Sequence, residues 1–212
     1  MSEVLYFSPV CPISHKIRIL LKLSRLNIEQ ICVASFAYYK KLNLTEKLPI
    51  LKPINLRFAE QFLLYLYKND NIAMVKEWFD NGELQSFELM MDREFFYDVY
   101  FHSVYDKFVK PLYEQSFVSS VQNHILKKQH NYLTEFNTIF SKQPWVQYKK
   151  TINDITLFSH LAALDYNFQI PWFNYPDLKK WYSRMKSQAD FNFILQSRAV
   201  ILPPQHYELI DF

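Results

Sequence analysis

The chain has 212 residues, half of them apolar and 18% aromatic, with a net charge of +3. This composition excludes a disordered segment, and the length suffices for one large or two small domains with a buried core. Charges of both signs are spread along the chain without clustered Lys and Arg, so a nucleic-acid partner is not expected.

The rare residue types and the absence of several sequence motifs exclude further classes of protein. The single glycine, Gly82, excludes the glycine-rich loops that bind dinucleotides and phosphates. No stretch approaches about 18 apolar residues and the N-terminus lacks the features of a signal peptide, so neither membrane insertion nor secretion is expected. The two cysteines, Cys11 and Cys32, do not suggest a disulfide framework. Together these features predict a cytoplasmic protein.

The first seventy residues predict a small α/β domain. Short hydrophobic runs bounded by polar residues or proline indicate strands at residues 4–7, 28–33, 48–51 and 54–58. The spacing of apolar residues indicates helices at residues 12–26 and 60–67. The basic residues of the first helix are expected to face water: Lys16, Arg18, Lys22 and Arg25. The predicted order is β-α-β, a connection, and β-β-α, with a domain boundary near residues 68–72.

The remainder of the chain has a helical pattern almost throughout. Breaks are expected at residues 80–82, 110–111, 143–144 and 170–171. Thr151 and Asp154 have the spacing of a capping box, in which a hydroxyl residue is followed three residues later by a carboxylate. The helix that they open, over residues 152–166, is apolar on nearly every side and is expected at the centre of a helical bundle. A further helix is predicted over residues 177–186.

Four segments together resemble the glutathione transferase superfamily. They are LYFSP at residues 5–9 with KIRILL at 16–21, LPIL at 48–51, DITL at 154–157 and YPDLKKWY at 175–182. The resemblance covers nearly the whole chain. It implies an α/β plus all-α fold, with a thioredoxin-like domain over residues 1–70, an all-helical domain over 71–202 and a tail over 203–212. It also implies a cis-proline at Pro49 and a homodimer.

The C-terminal third more closely resembles an alphaproteobacterial subgroup, the FzlA-like proteins. This likeness is carried by HLAALDY at residues 160–166, PW at 171–172, WYSRMKS at 181–187 and the tail. The subgroup associates with FtsZ during cell division, so the resemblance implies a binding role with FtsZ or another division protein as partner. The tail could dock in a partner's groove or fold back across the second domain. Both alternatives stay open for His206, Tyr207, Asp211 and Phe212.

Three residues near the end of the first strand are candidates for chemistry. Cys11 lies just before the first helix, whose N-terminus favours a thiolate. Its position resembles that of cysteine-type transferases and glutaredoxins, which form a mixed disulfide with glutathione. Tyr6 and Ser8 are alternatives, because many transferases hold the glutathione thiolate with a hydroxyl group. The competing interpretation is structural, with Cys11 a small half-buried residue and Tyr6 part of the core.

Glutathione is the cofactor that the resemblance implies. Leu48 and Pro49 would supply backbone groups for its peptide portion. Glu60 and Gln61 lie where the family usually has Glu-Ser, and the amide of Gln61 can also donate a hydrogen bond. The connection over residues 34–48 is shorter than usual and lacks the family's proline and glycine. We therefore expect weak glutathione binding.

Other chemistries have little support in the sequence. The six histidines include no H-E-x-x-H motif and no cysteine-histidine spacing typical of a metal site, so no metal is expected. His160, on the predicted central helix, is interpreted as a hydrogen-bonded core residue. The aromatic residues between 95 and 105 have helical spacing, which favours core or dimer surface over a hydrophobic-substrate pocket.

Two hypotheses about function remain. The first is a binding or adaptor protein with weak or no transferase activity, associated with FtsZ in bacterial cell division. The second is an active glutathione-dependent transferase or thiol transferase that uses Cys11, or Tyr6 and Ser8. The fold alone does not decide between them, because one fold serves many functions.

Overall fold

The structure is a computed structural model that describes residues 3–24, 26–34, 48–54, 56, 59–69, 72–109, 122–167, 170–199 and 202–212. Its sheet has three strands, with β1 (Val4–Phe7) in the centre. Strand β2 (Glu29–Cys32) pairs parallel to β1, and β3 (Ile50–Lys52) pairs antiparallel to it. Helix α1 (Pro12–Leu23) connects β1 to β2, and α2 (Ala59–Asn69) follows the sheet.

The predicted fourth strand is reduced to a single contact among the described residues. Leu56 pairs with Leu51 in an isolated antiparallel bridge. Pro53, which has no backbone N–H to donate, follows directly after β3 and ends its ladder. Residues 55, 57 and 58 of the predicted fourth strand lie outside the described residues, so the four-stranded sheet stays a prediction. The connection over residues 35–47 and the break at 110–111 also lie outside the described residues.

The rest of the described chain is helical. The α-helices and one π-type helix are α3 (Ala73–Asp80), α4 (Gly82–Leu89), the π-type α5 (Met90–Val109), α6 (Gln122–Phe140), α7 (Ile152–Tyr166), α8 (Pro176–Lys186) and α9 (Ala189–Asn192). Short 3-10 turns lie at Trp172–Asn174, Phe193–Gln196 and Gln205–Glu208. The predicted helices at 152–166 and 177–186 are thus confirmed to within one residue.

Helix α7 is the centre of the helical bundle, as its sequence predicts. All 15 of its residues are buried. The capping box is present: Asp154 accepts from the backbone N–H of Thr151 at 3.0 Å, and the Thr151 hydroxyl accepts from the N–H of Asn153 at 3.3 Å. Asp154 also accepts from the N–H of Val146 at 3.0 Å, so the box fixes the preceding loop as well. Burial outweighs these hydrogen bonds and raises the pKa of Asp154 to about 6.

Helix α1 is buried on both sides, which corrects one prediction. Lys16 is 1% exposed and Arg18 is 6% exposed, although both were expected to face water. The reason is that α1 packs against α7 on one side and near α2 on another, so polar positions are covered too. Arg18 lies 3.9 Å from the centre of the Phe7 ring and donates to Gln30 at 3.1 Å. Lys22 is exposed, as predicted.

The tail folds back on the helical bundle. Tyr207 is fully buried, with its ring edge-on to that of Tyr166 at 5.1 Å. His206 Nε2 lies 2.7 Å from Asp165 Oδ1, and the Phe212 ring stacks on the His206 ring at 5.0 Å. Of the two alternatives for the tail, the structure shows the folded-back one for these three tail residues, while Asp211 is exposed.

No helix in the described ranges has the length and apolar character needed to cross a membrane.

Candidate functional site

The turn after β1 is the first part of the candidate site. Cys11 occupies the position before α1, and its backbone N–H donates to the Ser8 carbonyl at 3.3 Å. The N–H of Ser8 donates to the Ser14 hydroxyl at 3.1 Å, and the N–H of Val10 donates to the Ser8 hydroxyl at 3.5 Å. The hydroxyl groups of Ser8 and Ser14 therefore accept from the turn's own backbone. Tyr6 lies half-buried in β1 between the buried Leu5 and Phe7.

The Leu48–Pro49 peptide faces this turn in the cis form, as the resemblance implied. The sulfur of Cys11 lies 4.0 Å from the Leu48 carbonyl oxygen. The backbone beside the cis-proline and the strand-end turn, 37 residues apart in sequence, thus form one small site. This is the arrangement predicted from the LYFSP and LPIL segments.

The thiol of Cys11 is not activated in this arrangement. Burial raises its pKa above the ordinary value of 9.0, although hydrogen bonds from Ser14 and Ile13 oppose the shift. Asp92 contributes in the same direction as burial. The N-terminus of α1 favours a thiolate, but the loss of solvent outweighs it. At neutral pH Cys11 is therefore a protonated thiol.

Tyr100 of α5 covers the same turn from the helical side. Its hydroxyl donates to the Val10 carbonyl, and its side chain is 6% exposed. Phe96 packs on Tyr100 with ring centres 5.0 Å apart, while Phe95 is fully buried. Within the aromatic segment, Phe95 therefore belongs to the core and Tyr100 covers the turn. Tyr97 differs from both, since it is 59% exposed. The helical spacing of Tyr100 was visible in the sequence, but its contact with Val10 was not.

Glu60 and Gln61 lie at the start of α2, and both side chains are exposed. The carboxylate of Glu60 forms an ion pair with Arg93 Nη2 at 3.1 Å. This pair joins α2 to α5 at the surface. Glu60 is therefore directed to a neighbouring helix, whereas Cys11 and Leu48 are directed to each other.

A buried ionic cluster behind the turn was not predicted. Lys16 Nζ lies 2.8 Å from Asp92 Oδ2 and also contacts Glu88 Oε1, and His160 Nε2 lies 2.8 Å from Asp92 Oδ1. The cluster connects α1, α4, α5 and α7. His160 is thus hydrogen-bonded through Nε2, as expected of a core histidine, while its Nδ1 has no partner among the described residues.

The charges in this cluster are set by burial and by Lys16. Burial raises the pKa of Asp92, but Lys16 and His160 lower it more, so that carboxylate is ionised. Burial raises the pKa of Glu88 and lowers that of His160. Burial lowers the pKa of Lys16, yet the two carboxylates bring it above its ordinary value. A charged Lys16–Asp92 pair therefore lies at the centre of the cluster.

The described residues contain no group of three or more His, Cys, Asp or Glu side chains that could hold a metal ion. No protein-family model matches the chain.

The chain is similar to known proteins of two kinds: an FtsZ-localized protein and glutathione S-transferases. It is 28% identical over 83 residues to FtsZ-localized protein A of Caulobacter vibrioides, a match that covers 38% of this chain and 36% of that protein. The matched part thus spans about a third of the curated relative. Among solved structures, FzlA from C. crescentus matches with a TM-score of 0.80 and 21% identity, covering 100% of both chains.

Further solved structures are described as glutathione S-transferases. One from Sinorhizobium meliloti matches with a TM-score of 0.83 and 20% identity over 100% of both chains. One from Methylobacillus flagellatus, with glutathione bound, matches with a TM-score of 0.70 and 19% identity, covering 94% of this chain and 100% of that one. The chain therefore has the glutathione S-transferase fold, and the predicted likeness to FzlA is confirmed.

Proposed function

We propose that this chain, with its glutathione S-transferase fold, is a cytoplasmic adaptor that associates with FtsZ in bacterial cell division. The observation that carries the proposal is its sequence likeness to FtsZ-localized protein A, together with the full-length match to FzlA. In this proposal residues 1–70 and 71–202 form the two domains and residues 203–212 the tail. The protein acts as a homodimer, and it has weak or no transferase activity.

The geometry of the turn supports a binding role over catalysis. Burial raises the pKa of the Cys11 thiol, so the nucleophilic form is scarce at neutral pH. Tyr100 of α5 covers the turn, and its hydroxyl donates to the Val10 carbonyl. Hydrogen bonds from Ser14 and Ile13 favour the Cys11 thiolate, but they do not offset its burial.

The residues at the turn would still fit part of glutathione. The backbone of Leu48 and Pro49 would hold the peptide portion, and the Cys11 side chain lies beside it. Glu60 and Gln61, at the start of α2, would offer glutathione a carboxylate and an amide. Glutathione would supply a thiol at this point. We propose that its affinity is weak, because the connection over residues 34–48 is shorter than is usual for the family and lacks its proline and glycine.

An active glutathione-dependent enzyme is the second candidate function. It is favoured by the approach of the Cys11 sulfur to the Leu48 carbonyl at 4.0 Å, next to the cis-proline. A thiol transferase would lose turnover in Cys11→Ser. A conjugating enzyme would instead lose it in Tyr6→Phe or Ser8→Ala, which remove the hydroxyl groups available to a glutathione thiolate.

In the proposed adaptor the tail contributes to partner binding. His206 and Tyr207 anchor it to α7 through Asp165 and Tyr166. Asp211 is exposed beside the half-buried Phe212, and Leu209 and Ile210 are also exposed. The anchored part would then present the last residues to a partner in a fixed position.

Co-sedimentation with FtsZ polymers tests the proposal. FtsZ is polymerised with GTP and pelleted in the presence of increasing concentrations of the purified protein, with unpolymerised FtsZ and bovine serum albumin as controls. We expect saturable binding at micromolar concentration and little turnover of chlorodinitrobenzene with glutathione. Absence of binding at about 50 μM, a free energy weaker than about −6 kcal/mol, would remove the proposal. Sedimentation velocity on the same sample tests the homodimer.

A further inference from the structure

A cleft of about 470 Å³ lies between helix α8 and the end of the tail. None of its lining residues belongs to the turn that holds Cys11. Cations line it on the helix side and mainly apolar groups on the tail side: Lys179, Lys180, Arg184, Ile210, Asp211 and Phe212.

The tail wall of this cleft is held in place by packing. The Phe212 ring stacks on His206 with an angle of 20° between the rings, and it lies edge-on to Trp172 at 5.6 Å. The ammonium groups of Lys179 and Lys186 lie 4.6 Å and 4.2 Å from the centre of the same ring. Because aromatic stacking and two cation–π contacts fix Phe212, the cleft is preformed and binding would not have to order this wall.

The charge of the cleft favours an anionic occupant. Among the side chains that line it, three are basic and one is acidic, that of Asp211. Lys180 is 79% exposed at its side chain, and its contact with Asp177, at 3.5 Å, is a surface ion pair of the weak kind. Arg184 rests on the Trp145 ring at 4.4 Å and donates to the Pro144 carbonyl, and a guanidinium carries five N–H donors. Both cations line the cleft, so each can meet a carboxylate of a ligand.

The spacing of the cations fits an extended peptide. Lys180 and Arg184 are four residues apart on α8, so their Cβ atoms are about 6 Å apart. Side chains two residues apart on an extended chain project from the same face about 6.6 Å apart. The two spacings match, so alternate carboxylates of a peptide strand could meet the two cations at once. A residue between them or beyond them would meet the apolar wall of Ile210 and Phe212.

We propose that this cleft binds an extended acidic segment of a partner protein, with carboxylates at alternate positions and an apolar side chain beside them. The inference deepens the proposed adaptor function and rests on it for the partner's being a protein. Binding of an acidic peptide to the cleft, however, can be tested without FtsZ. The occupant is recognised by charge, by two-residue spacing and by one apolar contact.

The first test measures binding of a fluorescein-labelled peptide, acetyl-Ser-Asp-Leu-Asp-Leu-Ser-amide, by fluorescence anisotropy. The matched probe replaces both Asp residues by Asn. We expect the acidic peptide to bind the wild type at least tenfold more tightly than the neutral one, and to weaken as salt is raised. Equal affinity for the two peptides, or tighter binding of inorganic phosphate than of the acidic peptide, would overturn the inference.

The second test uses Lys180→Glu, with Lys76→Glu as its control. Lys76 is exposed on α3, so both variants change the net charge equally while only one changes the cleft. Reversing an exposed charge replaces one weak attraction by one weak repulsion, so we expect about a tenfold loss of peptide affinity in Lys180→Glu. Lys76→Glu should bind like the wild type. The same loss in both variants would show a general charge effect and overturn the inference.

Co-sedimentation with FtsZ polymers separates this inference from the proposed function. If the acidic peptide binds the cleft but the wild type does not pellet with FtsZ, the proposed function fails and the cleft remains an acidic-peptide site. If the wild type pellets with FtsZ but the peptide does not bind, the inference fails and the proposed function stands.

Discussion

Removing the buried cation of Lys16 tests how the sheet and the helical bundle are joined. Lys16 is 1% exposed in α1, and its partners Glu88 and Asp92, in α4 and α5, are 2% and 12% exposed. Lys16→Met keeps much of the side-chain volume but leaves the carboxylate of Asp92 without its buried countercharge. Glu88 is less affected, because burial already raises its pKa and favours its neutral form.

The expected loss follows from burial of the unpaired charge. Removing one partner of a buried ion pair lowers the free energy of unfolding by about 3 to 5 kcal/mol. His160 continues to donate to Asp92 at 2.8 Å, so we expect about 3 kcal/mol, near the lower end. For a chain of this length that corresponds to a fall in melting temperature of roughly 6 to 12 °C.

The loss should also depend on pH. In the wild type, Lys16 holds the pKa of Asp92 below its ordinary value. Without Lys16, burial raises that pKa in the folded variant above its value in the unfolded chain, so the folded variant binds a proton more tightly. The stability of Lys16→Met relative to the wild type therefore rises as the pH falls from 7 toward 5.

Urea denaturation followed by tryptophan fluorescence measures these free energies. Lys22→Met is the matched control, since Lys22 is exposed on the same helix and the substitution should change stability by less than about 0.5 kcal/mol. A Lys16→Met variant within about 1 kcal/mol of this control at pH 7 would refute the assignment of a buried, structural ion pair. So would a difference between the two variants that does not change with pH.

Three further predictions concern single groups. Burial lowers the pKa of His15 from 6.5 to about 4, so the unfolded chain binds a proton first as the pH falls. The raised pKa of Asp154 acts in the opposite direction, so we expect the loss in comparison with His15→Gln: between pH 6.5 and about 4.5 the wild type should lose about 2 to 3 kcal/mol relative to that variant in urea denaturation. Alkylation of Cys11 by iodoacetamide, measured in Cys32→Ser, should be slow at neutral pH and accelerate only above pH 9; fast labelling at pH 7 would contradict the raised pKa. The buried Tyr207 hydroxyl has no partner among the described residues, so Tyr207→Phe should stay within about 0.5 kcal/mol of the wild type while Tyr207→Ala loses about 3 to 5.

Local sequence signals were sufficient for the end of β1 and for the start of the central helix. The strand over residues 4–7 ends before Ser8-Pro9, and the central helix starts at the capping box of Thr151. Both could be predicted because strand ends and helix starts depend on a few adjacent residues. The approach of Cys11 to Leu48 followed from the resemblance and from the order of the elements.

Contacts across the fold could not be read in the same way. Lys16 meets Glu88 and Asp92 from 72 and 76 residues away, and Tyr100 meets Val10 from 90 residues away. A helical pattern shows which residues of α1 are apolar. It does not show that neighbouring elements also cover the polar residues of α1. For that reason Lys16 was wrongly expected to face water, and the raised pKa of Cys11 could not be foreseen.

The central claim is that the protein associates with FtsZ and does so without using the glutathione site. Co-sedimentation with FtsZ polymers, with wild type and Cys11→Ser each in the absence and in the presence of 10 mM glutathione, is the test. We expect the same saturable binding in all four combinations of protein and glutathione. The claim would be contradicted if neither protein pelleted with FtsZ, or if glutathione or Cys11→Ser abolished the binding.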